Sequence, residues 1–162
     1  MADAGSSVFE RLRAALDGAG ITFTHTRHRA VYTSAEAAEV RGVPLHSGAK
    51  ALIVKVGESL VLSVMPADLS LDSVSLRKHL RARRSRFATQ DEVFELTGLK
   101  PGSIPPFGSL FALRTYCDPR LGDNERINFN AGSHTDSFQM AYADYVRFEK
   151  PEMVRLAKAS GD

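Results

Sequence analysis

Apolar and polar positions along this chain change period several times, and each change marks an element. Val8, Leu12, Ala15, Leu16 and Ala19 recur at the three- and four-residue spacing of a helix. Ser7-x-x-Glu10 stands ahead of them as a capping box and Gly20 follows, so the spacing predicts a helix over 7–18. Ile21, Phe23 and His25 then alternate with threonines, the period of a half-buried strand ending near Arg27, and residues 28–32 read as a loop. Two more capping boxes, Thr33-x-x-Glu36 and Thr89-x-x-Glu92, open short helices closed by Gly42 and Gly98.

Between those helices lies a run of mostly branched apolar residues, 49–56, then the turn Gly57-Glu58-Ser59 and a second apolar run, 60–65. Together they predict a β-hairpin. Pro66-Ala67-Asp68 breaks the pattern, Val74, Leu76 and Leu80 give helical spacing over 74–82, and 84–88 fits a short strand. Strands resume over 110–116, 126–130 and 137–141, with Asp118-Pro119 and Ala131-Gly132-Ser133 as turns, and Pro151 suits the first turn of a C-terminal helix over 151–159. Strands mixed with short helices predict an α/β (α+β) sheet rather than a doubly wound one. At 162 residues we expect a single domain, 1–162, with its core over 7–148.

Composition narrows the class. The hydrophobic fraction of 43% and charged fraction of 25% are those of an ordinary globular protein. No apolar run approaches the ~18 residues of a spanning helix, and residues 1–7 lack the basic start and apolar core of a signal peptide, so we expect a cytoplasmic protein with no membrane partner. Its one cysteine, Cys117, excludes an intrachain disulfide and a Cys-rich metal site. Although the net charge is only +2, Arg77, Lys78, Arg81, Arg83, Arg84 and Arg86 crowd into ten residues with His79 and no acid among them. Such a cluster is either a solvated face or a phosphate-binding surface.

Several positions carry candidate chemistry. In the 49–56 strand Lys50 shares a face with Leu52, Val54 and Val56, so its ammonium either snorkels to water or serves a pocket. Residues 98–108 hold three glycines and three prolines, too many for regular structure; the stiff loop they form can present backbone N–H groups to a carbonyl or an oxyanion. No Gly-Lys-Ser/Thr ending makes it a P-loop. His25 and His28 would point to opposite faces of a strand, which argues against a metal pair. Cys117 lacks a neighbouring base and reads as a buried structural thiol. The turn 130–136 is either a polar hairpin or a pocket rim, where Gly132 would admit a substrate and His134 or Asp136 would position water. No nucleophile elbow is present.

The order of these pieces resembles one family. His28 in a loop, a short helix ending Gly42-Val43-Pro44-Leu45, Lys50 opening an apolar strand, Gly98-x-x-Pro101-Gly102-x-x-Pro105-Pro106-Phe107-Gly108, and Asn130-Ala131-Gly132 are similar to the YbaK and prolyl-tRNA synthetase editing-domain superfamily over residues 7–148. The resemblance implies a mixed, largely antiparallel central sheet flanked by short helices. It also implies a metal-independent, cofactor-free hydrolase that deacylates mischarged aminoacyl-tRNA in trans, with water activated by the substrate's own ribose hydroxyl. The family's lysine falls on Lys50 and its later glycine on Gly132, the two catalytic candidates. Its Gly-x-x-x-Pro loop falls on Gly102 to Pro106. With that loop, Ser103, Ile104, Pro105, Phe107 and Gly108 become substrate-binding candidates together with His28, Tyr32 and His134, the last standing near a histidine that some members use. The cluster Arg77, Lys78, Arg81, Arg83 and Arg84 becomes a candidate tRNA surface. The implied partners are an aminoacyl-tRNA, with tRNA-Pro carrying a small amino acid favoured, and prolyl-tRNA synthetase. Outside the resemblance, a non-catalytic module holding tRNA ends or a nucleotide, or a hydrolase of another small ester, would use the same pocket.

Overall fold

The computed structural model of the protein describes residues 7–160. α1 (Val8–Gly18) starts where the Ser7 hydroxyl accepts the Glu10 N–H at 3.1 Å. β1 (Phe23–Arg27) follows, then α2 (Ser34–Arg41), whose capping box at Thr33 and Glu36 is complete and whose C-cap Gly42 is left-handed at φ 68°. The hairpin of β2 (Ala49–Val56) and β3 (Ser59–Pro66) leads through a turn into β4 (Leu69–Leu71). Then come α3 (Ser73–His79), β5 (Ser85–Phe87) and α4 (Gln90–Thr97), the last with a second complete capping box and left-handed Gly98. β6 (Thr115–Cys117), β7 (Arg126–Asn130), β8 (Asp136–Ala141), α5 (Tyr142–Glu149), β9 (Glu152–Met153) and β10 (Ala157–Ala159) complete the order.

These strands form a mixed five-stranded sheet in the order β5-β2-β3-β6-β9, a three-stranded antiparallel sheet β1-β8-β7 and a two-stranded ribbon β10-β4. In the large sheet β2 pairs antiparallel with β3 and β5, while β6 runs parallel to β3 and β9. Apolar side chains fill both of its faces. Ile53, Leu62 and Val64 pack with Leu12, Leu16, Phe129 and Phe138 on one side, and Val54, Val56 and Met65 pack with Leu76, Tyr116 and Leu156 on the other. That is why 60–65 reads as a continuous apolar run instead of an alternating one. A single parallel bridge between Gly48 and Asn128 links the heads of β2 and β7.

The expected C-terminal helix over 151–159 is corrected here. The helix lies earlier, over Tyr142–Glu149, and ends at Lys150 with φ 50°, after which Pro151 cannot continue it. Beyond it the chain is extended, because Val154 and Leu156 are buried two residues apart and the Asp118 carboxylate accepts the N–H groups of Leu156 (3.1 Å) and Ala157 (3.0 Å). The strand expected over 110–116 shrinks to Thr115–Cys117, since Gly108–Phe111 is a 3₁₀ turn and Ala112 reverses the chain at φ 55°. The basic helix likewise stops at His79, and Arg81 turns at φ 55°. No helix among the described residues is long and apolar enough to cross a membrane.

Candidate active site

β5 pairs only with Val54 to Val56, so the edge of β2 from Ala49 to Leu52 is left without a neighbouring strand. A cleft of about 200 Å³ opens along that edge, walled by α2 (Ala37, Ala38, Arg41), by Gly48 and Lys50, and by Gly102, Ile104 and Asn130. The small side chains of Ala37 and Ala38 on α2 let the helix come near the strand edge without closing the cleft.

Lys50 lines this cleft at the strand's head. Burial lowers its pKa from the ordinary lysine value, an effect that nearby Asp68 opposes, and its ammonium donates to the Leu69 carbonyl. Tyr32 lies at the rim, 70% exposed, its ring 4.8 Å from that of His134. His134, which is not among the residues lining the cleft, reaches the Pro101 carbonyl at 3.4 Å and so joins the Tyr32 ring to the loop.

The Pro/Gly loop divides into two parts. Gly102, at φ 91°, and Ile104 line the cleft, and among the described residues their N–H groups have no acceptor. Over 102–108 the other N–H donors are already used: Ser103 gives to the Lys100 carbonyl, Phe107 to the Pro105 carbonyl, and Gly108 to Thr115 Oγ1. Pro105, Pro106, Phe107 and Gly108 are buried behind the cleft, Phe107 among the rings of Phe129, Tyr145 and Phe148, with the Tyr145 hydroxyl donating to the Pro106 carbonyl at 2.7 Å. The oxyanion donors expected across 102–108 thus narrow to two.

Gly132 does not line the cleft. Its N–H donates to the Ser103 carbonyl at 3.0 Å, and a Cβ there would stand 3.0 Å from the Phe9 nitrogen and 3.2 Å from Val8 Cγ1. This glycine clamps the loop and makes room for the start of α1. Asp136, expected as a possible water-positioning acid, is committed to His25 (2.8 Å) and Ser133 (2.7 Å). Burial raises its pKa, but the bonds from Ser133, His25 and Thr135 bring it below the usual carboxylate value.

One polar chain ties these parts together, and sequence reasoning missed most of it. His28 Nε2 meets Ser137 Oγ at 2.7 Å; Arg41 Nε donates to the same hydroxyl at 2.8 Å and Arg41 Nη2 to Asn130 Oδ1 at 2.8 Å; Asn130 Nδ2 donates to the Gly102 carbonyl at 2.6 Å. Arg41 is the last residue of α2, where a basic side chain reads as a complement to the helix dipole. Only its spacing of four from Ala37 placed it on the cleft face.

The basic residues form a separate site. Arg77, Arg83, Arg84 and Arg86 line a second cleft with Lys55, of about 510 Å³, at the turn end of the hairpin, and Lys78 and Arg81 are not among its lining residues. The sequence suggested a cluster with no acid to offset it, but the fold supplies acids: Glu58 lines the same cleft, Arg86 pairs with Glu92 at 2.7 Å, holding that carboxyl down at about 2, and His79 pairs with Glu152. Cys117 is fully buried, which pushes its thiol up to about 12. No three His, Cys, Asp or Glu side chains among the described residues form a metal-binding group.

A mixed sheet whose open edge carries a lysine, across a cleft from a Gly-x-x-x-Pro loop, is what the resemblance to aminoacyl-tRNA editing domains implies. The profile of that family, the aminoacyl-tRNA editing domain, matches residues 28–148, and the chain belongs to it. It is 37% identical over 161 residues to the multifunctional Ser/Thr-tRNA deacylase ProXp-y of Escherichia coli (strain K12), a match covering 96% of each chain. It is 30% identical over 151 residues to the proline-tRNA ligase of Trichlorobacter lovleyi, across 85% of this chain and 26% of the ligase. A solved structure described provisionally as a trans-editing enzyme for prolyl tRNA synthetase shares the fold, with a TM-score of 0.81 at 24% identity over 94% of this chain and 98% of that one.

Proposed function

We propose that this chain is a trans-editing hydrolase that removes a small amino acid from mischarged tRNA. The observation that carries the reading is the open edge of β2: Lys50 stands on one side of a small cleft and two unpaired backbone N–H groups, of Gly102 and Ile104, on the other. Donors fixed in place before reaction stabilise developing charge without reorganising. The cleft is smaller than the ~300–1,000 Å³ of ordinary ligand pockets, which suits an aminoacyl group. Synthetases need such a second site because one methylene alters binding by only ~1–3 kcal/mol.

In this reading Lys50 holds the aminoacyl-adenosine end, the loop donors meet the ester oxygen, and the ribose hydroxyl next to the ester orients the attacking water. That last role is in keeping with a cleft lining that holds no carboxylate and no histidine among the described residues. Serine and threonine are the favoured amino acids, supported by the name of the 37% identical deacylase. tRNA-Pro is the favoured carrier and prolyl-tRNA synthetase the source of the errors, supported by the similarity to proline-tRNA ligases. We take residues 1–162 as one editing domain, in line with the 96% coverage of both chains in that comparison, and the cytoplasm as its site of action. Arg77, Arg83 and Arg84 contact tRNA phosphates, with Lys78 and Arg81 at the margin of that surface.

The test is release of amino acid from tRNA-Pro charged with serine, threonine, alanine, cysteine or proline, comparing the native chain with Lys50→Ala. Selective release that disappears in the variant is expected. Binding of these tRNAs with no release from any of them would instead establish a non-catalytic module.

A further inference from the structure

Arg41 is a cation in the cleft wall with no carboxylate partner among the described residues. Two of its nitrogens give to neutral oxygens, Nε to Ser137 and Nη2 to Asn130. Nη1 has no acceptor among the described residues and lies 3.9 Å from the point where a Cβ on Gly48 would stand, beside the head of β2. Burial lowers the guanidinium pKa to about 10, so it is still charged at neutral pH. A partly buried charge without a counter-charge is costly, and the missing partner is what a ligand can supply.

An aminoacyl-tRNA end offers two kinds of negative oxygen. The phosphodiester is charged from the start but bulky and hydrated; the ester carbonyl is small and becomes negative only as water adds. Arg41 is joined to the Gly102 segment through Asn130, so its free nitrogen belongs to the wall that carries the two unpaired N–H groups. A cleft of about 200 Å³ brings a carbonyl oxygen to that wall more readily than a phosphate.

Building on the editing reading above, we propose that Arg41 Nη1 is a third donor to the ester carbonyl oxygen and the charged member of the oxyanion site. As the water oxygen bonds to the carbonyl carbon, the π electron pair moves onto the carbonyl oxygen, which Arg41 and the N–H groups of Gly102 and Ile104 hold. When that pair returns, the bond to the ribose oxygen breaks, and the ribose oxygen takes up the proton lost by water. Arg41 remains protonated throughout.

The experiment measures single-turnover deacylation, over a range of enzyme concentrations, by native protein, Arg41→Gln, Asn130→Ala and the double variant, with thermal unfolding of each. Removing one oxyanion donor costs ~10²–10³ in rate, so Arg41→Gln should lose about 100-fold in the saturating rate constant while half-saturation changes by less than about threefold. Asn130→Ala, which only loosens the support, should lose about tenfold. Should Arg41→Gln fail to fold, Arg41→Lys keeps the stem and the charge but not the fork, and a loss of about tenfold in the saturating rate is expected. An unchanged rate, or a loss confined to half-saturation, overturns the proposal in either variant. So does a loss equal to that of Asn130→Ala with no further loss in the double variant, because Arg41 would then act only by holding Asn130. Native protein that releases no amino acid from any charged tRNA overturns the editing reading and this inference with it, whereas an active native protein with an unaffected Arg41→Gln overturns this inference alone.

Discussion

Gly132→Ala separates two roles for a residue that family resemblance makes catalytic. The backbone at 132 sits at φ 86°, and an L-residue in the left-handed region costs ~1–2 kcal/mol. The new methyl would also stand 3.0 Å from the Phe9 nitrogen and 3.2 and 3.3 Å from Val8 carbons, tighter than ordinary contact, and these are the first residues of α1. Val8 is buried in the main core, so the helix start must back away, and overpacking of this kind costs ~1–3 kcal/mol. Together the destabilisation is about 2–5 kcal/mol, a large part of the ~5–15 kcal/mol that holds a domain together. Urea unfolding should show a lower midpoint with an unchanged slope, and the melting temperature should fall by ~4–20 °C. Folded variant should keep its turnover within about tenfold, because the Ser103 carbonyl still has the N–H of residue 132. A stability loss below about 0.5 kcal/mol accompanied by a collapse of turnover would refute this reasoning and put Gly132 against the substrate.

Two further outcomes are expected. Asp118 is fully buried; burial raises its pKa, but the Arg120 side chain and the N–H groups of Arg120 and Ala157 bring it below the usual value. A depressed native pKa contributes stability that is complete above the unfolded value of ~3.9 and is lost as pH falls through the native one, so Asp118→Asn should flatten the acid limb of the stability curve and cost ~3 kcal/mol at pH 7 by urea unfolding; an unchanged acid limb would exclude it. Reversing charge at Arg83 and Arg84 should weaken tRNA binding and reduce its salt dependence by up to about two counterions while leaving the single-turnover rate at saturation unchanged; an unchanged salt slope in filter binding would show a merely solvated face.

What the sequence made legible was local. Thr33 with Glu36 and Thr89 with Glu92 cap helices by bonds three residues long, and the β2–β3 hairpin closes over one turn. α5 escaped notice because its N-cap, Ala141, has no capping side chain, and β4 and β10 escaped because three-residue strands pair across more than eighty positions. The buried carboxylate of Asp118 explains the extended C-terminus, yet beside Pro119 it reads only as a turn residue. Within the site, Lys50 stood out as a charge on an apolar strand face, while Arg41 looked like any basic residue closing a helix. Gly132 was recognisable as a special glycine, but the reason for it lies in α1, more than 120 residues away.

β2 also sets the distance between chemistry and binding. Lys50 opens the strand and Lys55 lies near its far end, in the wall of the basic cleft. Five residues at ~3.4 Å each separate them by about 17 Å. If Lys50 holds the terminal adenosine as proposed, the basic cleft is left to phosphates several nucleotides back along the acceptor end, beyond reach of the ester. In that reading charges at Arg77, Arg83 and Arg84 steer and retain the tRNA, and at that separation across solvent, beyond a Debye length of ~8 Å, they contribute almost nothing to the proposed oxyanion site. Under the proposed function and the Arg41 proposal, the rate of the chemical step rests on Lys50 and on the short wall made by Arg41, Asn130, Gly102 and Ile104, where one misplaced hydrogen bond is felt directly at the reacting carbonyl.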